Sequence, residues 1–160
     1  MAKAPSTQAT RLLRQAGIPF TEHLYRHEDR GGTAVSAREL GVDEHAVVKT
    51  LVMEDDGGAP FIILMHGDRE VSTRELARQL GVRGVRPCDP ATAQRHSGYL
   101  VGGTSPLGTR KVLPVHAEAT IFELEKIYLN GGSRGFLVGL APADLDRVLS
   151  CRKVSVAQAG

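Results

Sequence analysis

Apolar positions recur along the chain in short runs of two kinds, some with helical and some with strand spacing. Across residues 7–16 they fall at Ala9, Leu12, Leu13 and Ala16, a helical stripe that Gly17 closes. Residues 19–25 read as a strand, and the polar stretch 26–32 after it as a loop. Ser36 with Glu39 forms a capping-box pattern that opens a short helix to Leu40, ended by Gly41. Residues 46–54 predict a strand, turned through Asp55-Asp56-Gly57-Gly58 onto residues 61–66. That second run is almost wholly apolar, which marks it as the central strand.

The C-terminal half continues in the same manner. Ser72 with Glu75 starts a second capped helix that Gly81 terminates. Asp89-Pro90 pairs an N-cap with a proline at the first helical position, so a helix runs to about His96. Residues 99–101 and 111–115 predict strands, and 119–124 a short helix. Residues 127–129 and 135–140 predict a hairpin joined through Asn130-Gly131-Gly132. A helix over 142–149 and a strand over 153–156 complete the set. Without regular βαβ alternation, this order predicts one α+β domain over residues 1–160. Its sheet is mixed and mostly antiparallel, curled or barrel-like, with helices around it.

Gly98 to Gly108 is the most informative stretch. An apolar tripeptide runs into a loop holding Gly102, Gly103, Thr104, Ser105, Pro106 and Gly108. Glycine serves where φ is positive or another group approaches closely, and such a loop offers backbone N–H groups around a hollow suited to an anionic or carbonyl oxygen. A wide hairpin connection is the plainer alternative, although a hairpin needs fewer glycines than this.

Composition narrows the function classes. Hydrophobic residues make up 41% and charged residues 24%, which is globular rather than disordered. Net charge is only +2, too small for a protein that wraps nucleic acid, yet compatible with docking one RNA end. No aromatic-basic stacking run is present, so RNA selectivity is expected to come from a partner. The first residues lack a signal-peptide core and no run reaches the length of a membrane span, so a soluble, cytoplasmic protein with no membrane partner is expected. Cys88 and Cys151 are far apart with no CxxC, which indicates neither a zinc site nor a disulfide framework.

Lys49 lies inside the predicted strand 46–54, on the face that holds Val47, Leu51 and Met53. Lysine is seldom buried without a partner. A shielded lysine near an opening binds a phosphate or carbonyl oxygen; the alternative is an edge strand whose lysine reaches water. The six histidines show no metal-ligand spacing and read as surface or core residues. GxSxG, GxGxxG and P-loop patterns are all missing. If the chain is an enzyme, it shows no nucleophile or general base, no cofactor motif and no metal site.

Taken together, Lys49-Thr50-Leu51, the Tyr99 to Gly108 segment, Leu113-Pro114, Ile127-Tyr128 with Gly131-Gly132 and Arg134-Gly135, and Leu140-Ala141 with Asp144-Leu145 resemble the YbaK family. These are free-standing aminoacyl-tRNA editing proteins related to the editing domain of bacterial prolyl-tRNA synthetases. The resemblance covers nearly the whole chain. It implies clearance of a small mischarged amino acid from the tRNA 3′ end, most plausibly cysteine from the proline tRNA, with prolyl-tRNA synthetase as partner.

By the same resemblance, Lys49 matches the family's essential lysine, Gly102 and Gly103 match the glycines that approach the scissile ester, and Tyr25 matches an aromatic pocket residue. Thr33, Ala34, Thr104, Ser105, Pro106, Asn130 and Gly131 complete the implied substrate-binding set. Thr33-Ala34 stands where an Asn-Phe pair is expected, Asn130 replaces a serine, and Leu137 falls where an aspartate occurs. These departures bear on which amino acid is cleared. Three alternatives stay open: the same deacylase chemistry on Ala-tRNA or another small amino acid, a non-catalytic paralogue that binds tRNA or the synthetase, and a small-molecule phosphate binder.

Overall fold

The computed structural model describes residues 3–160. Thr7 opens helix α1 (Gln8–Gln15) by accepting the Thr10 N–H, and strand β1 (Thr21–Leu24) follows. Helix α2 (Gly32–Leu40) begins well before the capping pattern at Ser36. Ser36 is instead buried inside that helix and donates its hydroxyl to the Thr33 carbonyl, a back-bond rather than a cap. Strands β2 (Val48–Asp55) and β3 (Pro60–His66) then pair antiparallel, with Lys49 opposite Met65.

Strand β4 (Arg69–Val71) leads into helix α3 (Thr73–Leu80), where Ser72 accepts the Glu75 N–H as its capping pattern predicts. Strand β5 (Val85–Pro87) precedes helix α4 (Pro90–Ser97), capped by Asp89. Strands β6 (Val115–Glu118), β7 (Ile127–Ser133) and β8 (Phe136–Leu140), helix α5 (Pro142–Leu149), and strands β9 (Arg152–Val154) and β10 (Ala157–Ala159) complete the chain. Short 3₁₀ turns cover Glu44–Ala46 and Ala119–Glu123.

The class is α+β with mostly antiparallel pairing, as expected. A five-stranded sheet runs β5-β2-β3-β6-β9, a three-stranded one β1-β8-β7, and β10 pairs with β4. Only β3–β6 and β6–β9 are parallel among these pairs. The described strands form three sheets and no closed barrel.

Strand β3 explains its own sequence. Ile62 and Leu64 pack with Leu13, Ile127, Leu129 and Phe136 on one side, while Phe61, Ile63 and Met65 pack with Met53, Leu76 and Val154 on the other. A strand covered on both faces has no polar side to show, so its alternation disappears. Each such side chain contributes about 1.5–3 kcal/mol through burial.

Four expected elements differ. Residues 99–101 are a loop, not a strand: Gly98 ends α4 in the left-handed region, Tyr99 is buried, and Leu100 and Val101 are 53% and 49% exposed. The strand expected at 111–115 starts only at Val115, after Pro114, which has no N–H to give a ladder. The hairpin turns at Arg134-Gly135 rather than at Asn130-Gly131, which sits in a bulge of β7. The cause is the Asn130 side chain, whose Oδ1 accepts the N–H groups of Gly132 and Ser133 and stabilises the bulge locally. The last predicted strand, over 153–156, is displaced to β9, and the three-residue strands β4, β5 and β10 are too short to leave a periodic signal.

Candidate active site

A cleft of about 400 Å³ opens between the start of β2, the start of α2, the glycine loop and the β7–β8 pair. Of the residues singled out from the sequence, Lys49, Tyr25, Thr33, Gly102, Thr104 and Asn130 line it. This volume lies in the range of small-ligand sites.

Strand β2 carries Lys49 to the cleft between apolar neighbours, with its side chain 21% exposed. Its ion-pair partner among the described residues is Glu70 on β4, at 3.7 Å and 62% exposed. An exposed carboxylate at that distance holds an ammonium weakly, so Lys49 remains available to another acceptor. Beside it, the Thr50 hydroxyl is buried at the cleft wall with no hydrogen-bond partner. A buried polar atom left unpaired is rare in a folded chain.

The glycine loop is fixed from behind. Asn130 Nδ2 donates to the Gly102 carbonyl at 3.0 Å, and Arg134 Nε donates to the Val101 carbonyl at 2.8 Å. In a trans peptide the N–H points opposite its C=O. Anchoring the Val101 carbonyl to Arg134 therefore turns the Gly102 N–H away from Arg134. Neither that N–H nor the one on Thr104 meets an acceptor among the described residues. Gly102 has φ +90°, which favours glycine, and a Cβ there would stand 3.1 Å from His27 Cε1 and make the ring give way.

Gly103 differs from Gly102. Its N–H donates to the Leu100 carbonyl at 2.8 Å, so it is spent inside the loop. A Cβ on Gly103 would come within 3.0 Å of the Arg134 backbone nitrogen, which makes it a packing glycine. Ser105 and Pro106 are buried behind the loop, where Ser105 Oγ accepts the Leu107 N–H. Gly131 faces the Phe136 ring and its carbonyl accepts the Thr7 hydroxyl. Ala34 is exposed on α2. None of these five lines the cleft.

The cleft also takes Leu137, one of the departures read as bearing on specificity, and His27, Ser36, Cys88 and Val101, which were not in the expected set of site residues. His27 is a single histidine in the polar loop after β1, with no spacing that marks it as a site residue. Burial pushes the Cys88 thiol up, and the Cys151 thiol up to about 12, so neither is an activated thiolate. Burial pushes the Tyr25 hydroxyl up as well, which keeps it a neutral hydrogen-bonding group. No group of three or more His, Cys, Asp or Glu able to hold a metal occurs among the described residues. No helix among them is long and apolar enough to cross a membrane.

A family model described as an aminoacyl-tRNA editing domain matches residues 27–148. The chain is similar to a protein of Enterococcus faecalis assigned as a Cys-tRNA(Pro)/Cys-tRNA(Cys) deacylase, EbsC. The two are 28% identical over 137 residues, 85% of this chain and 84% of that one. A proline–tRNA ligase of Desulfovibrio desulfuricans is 34% identical over 105 residues, which are 66% of this chain and 16% of the ligase. The chain thus corresponds to a small part of that enzyme. Among solved structures, one assigned as a trans-editing enzyme for prolyl tRNA synthetase has a TM-score of 0.82 at 19% identity, over 98% of this chain and 100% of that one. That likeness is one of fold.

Proposed function

The chain belongs to the aminoacyl-tRNA editing domain family, and from that premise we propose that it clears a small mischarged amino acid from the 3′ end of tRNA, cysteine on the proline tRNA first. The observation that carries this reading is the convergence of Lys49 and Gly102 on one cleft. An ammonium and a backbone N–H without a partner among the described residues, both from residues of one cleft, are the kinds of donor that a developing oxyanion on an ester carbonyl needs. The donor from the loop is Gly102, with Thr104 beside it, and not Gly103, whose N–H is already used.

Among the described residues both cysteine thiols are pushed up by burial and neither is an activated nucleophile, so the attacking group belongs to the substrate or to water. In the first case the cysteine thiol attacks its own carbonyl carbon, the ester bond to the ribose breaks, and the tRNA leaves with a free hydroxyl. Editing of this kind answers a limit of binding, because a synthetase pocket rejects a smaller or isosteric amino acid only weakly. The EbsC and ligase similarities support tRNA as substrate and a prolyl-tRNA synthetase as the partner that supplies tRNA identity, in the cytoplasm.

One observation favours a broader choice of amino acid. Leu137 and Val47, both buried, form an apolar wall of the cleft, which suits alanine as well as cysteine. A deacylation panel with Cys-, Ala- and Pro-tRNA(Pro), with and without prolyl-tRNA synthetase, tests the reading. Release of cysteine faster than alanine, with proline spared, is the expected result. Equal and uncatalysed decay of all three contradicts it.

A further inference from the structure

We propose that His27 is a catalytic residue of this cleft, a proton carrier oriented by Asp29; the inference rests on the deacylase reading above. His27 lines the cleft with Lys49 and Gly102, and its side chain is 28% exposed. Its Cε1 packs on Gly102, 3.1 Å from where a Cβ would stand, so substitution of the glycine would push the ring aside. On the ring's outer side, Nε2 lies 3.4 Å from Asp29 Oδ1.

These contacts assign the two nitrogens different work. A carboxylate accepts, so Nε2 carries the proton in the neutral ring and Nδ1 carries the lone pair. Both ring nitrogens flank the Cε1 that stands beside Gly102, and Nδ1 makes no hydrogen bond to a described residue. The ring that carries this lone pair lines the same cleft as Lys49 and Gly102. A base within reach of the reacting atoms, with a third group steering it, is the arrangement that activates a weak nucleophile.

The step balances with either attacking group. As the thiol sulfur or a water oxygen bonds to the ester carbonyl carbon, its proton passes to His27 Nδ1. Collapse of the tetrahedral species breaks the carbon–oxygen bond to the ribose, and His27 returns the proton to that oxygen. The ring ends neutral; attack by water consumes that water and leaves the free amino acid, while attack by the thiol leaves the cyclic thioester, which water then opens to cysteine. The charged groups that face it are Asp29 on its own loop, Arg134 from the β7–β8 turn, which reaches the same side of Gly102, and Lys49 across the cleft. Tyr25 is the other titratable neighbour on the cleft and stays neutral.

The test measures kcat/KM on Cys-tRNA(Pro) from about pH 5.5 to 8.5, the range in which an imidazole changes charge, for the wild-type protein, His27→Gln and Asp29→Asn. The expected result is an acid limb in the wild type that His27→Gln abolishes, with a loss of about 10²-fold on the plateau. Added imidazole restores part of the rate to His27→Ala. Asp29 is 94% exposed, so Asp29→Asn keeps the fold and lowers the rate less, reporting on orientation even if a His27 variant unfolds. An active wild type whose pH profile survives both His27→Gln and Asp29→Asn overturns the role of His27 and leaves the deacylase reading intact. A wild type that cleaves no ester overturns the reading itself.

Discussion

Asn130 Nδ2 donates to the Gly102 carbonyl at 3.0 Å, so one side chain from β7 ties the second glycine-rich segment to the first. The same side chain's Oδ1 accepts the Gly132 and Ser133 N–H groups at 2.7 and 3.1 Å. Asn130 thus shapes its own bulge and holds the loop that presents the Gly102 N–H. Asn130→Ala removes all three bonds. At roughly 1 kcal/mol per net hydrogen bond, the expected destabilisation is about 2–3 kcal/mol by urea unfolding. Asn130→Asp keeps the acceptor and loses the donor, so it separates the two roles. It retains most of the stability, and deacylation falls about tenfold as the loop loosens.

Gly135 has φ +75°, and a Cβ there would lie 2.6 Å from the Tyr25 carbonyl oxygen, a backbone atom that cannot step aside. Gly135→Ala is expected to cost on the order of 2–3 kcal/mol through strain at this turn. It also shifts Tyr25, whose N–H donates to the Gly135 carbonyl at 2.9 Å. A thermal melt unchanged by this substitution would contradict the turn geometry.

Stability is expected to fall on mild acidification. Burial holds the His66, His96 and His116 imidazoles below their ordinary value of 6.5, and the Nδ1 atoms of His96 and His116 are buried without partners. Below pH 6.5 the unfolded chain takes up protons that the folded chain refuses, so stability drops as pH falls until the folded-state values are passed. Each histidine adds at most about 1.4 kcal/mol per pH unit within that window. Glu118 adds a later loss. Burial opposes its ionisation, but the N–H groups of Val156, Thr120 and Ala157 and the Thr120 hydroxyl hold its carboxyl below the usual 4.5. Its contribution, complete above that value, goes as pH falls through the folded-state value. Urea midpoints at pH 7.5, 6.5 and 5.5 measure the histidine part, and a flat series contradicts it.

Glu70 faces Lys49 at 3.7 Å but is largely in water. Glu70→Gln is therefore expected to change the unfolding free energy by less than about 1 kcal/mol. A larger loss in calorimetry means that the ammonium is held by this pair rather than left for substrate.

Much of this architecture is legible in the residue pattern, and the failures share a cause. The unbroken apolar run of β3, the caps at Ser72 and Asp89 and the lysine set among apolar neighbours in β2 each express one dominant local force. Ser36 resembles a cap, yet the chain is already helical from Gly32, and tertiary burial overrides the pattern. Asn130-Gly131 resembles a hairpin turn because the side chain that builds the bulge is also what makes Asn-Gly a turn signal. Residues 99–101 resemble a buried strand, but Leu100 and Val101 stand exposed beside the cleft, with Val101 on its wall. Segments that serve a site depart from local rules more often than segments that serve the core. His27 is invisible for another reason: a single histidine in a polar loop has no spacing to betray it, and only its seat against Gly102 gives it meaning.

The most direct test is single-turnover release of cysteine from Cys-tRNA(Pro) by purified wild-type protein and by Lys49→Ala, with circular dichroism run on both. The account predicts a rate well above spontaneous hydrolysis for the wild type. It predicts a loss of about 10²–10³-fold for Lys49→Ala, the effect of removing one oxyanion donor, with the fold unchanged. Equal rates for the two proteins would contradict the placement of chemistry at Lys49 and Gly102.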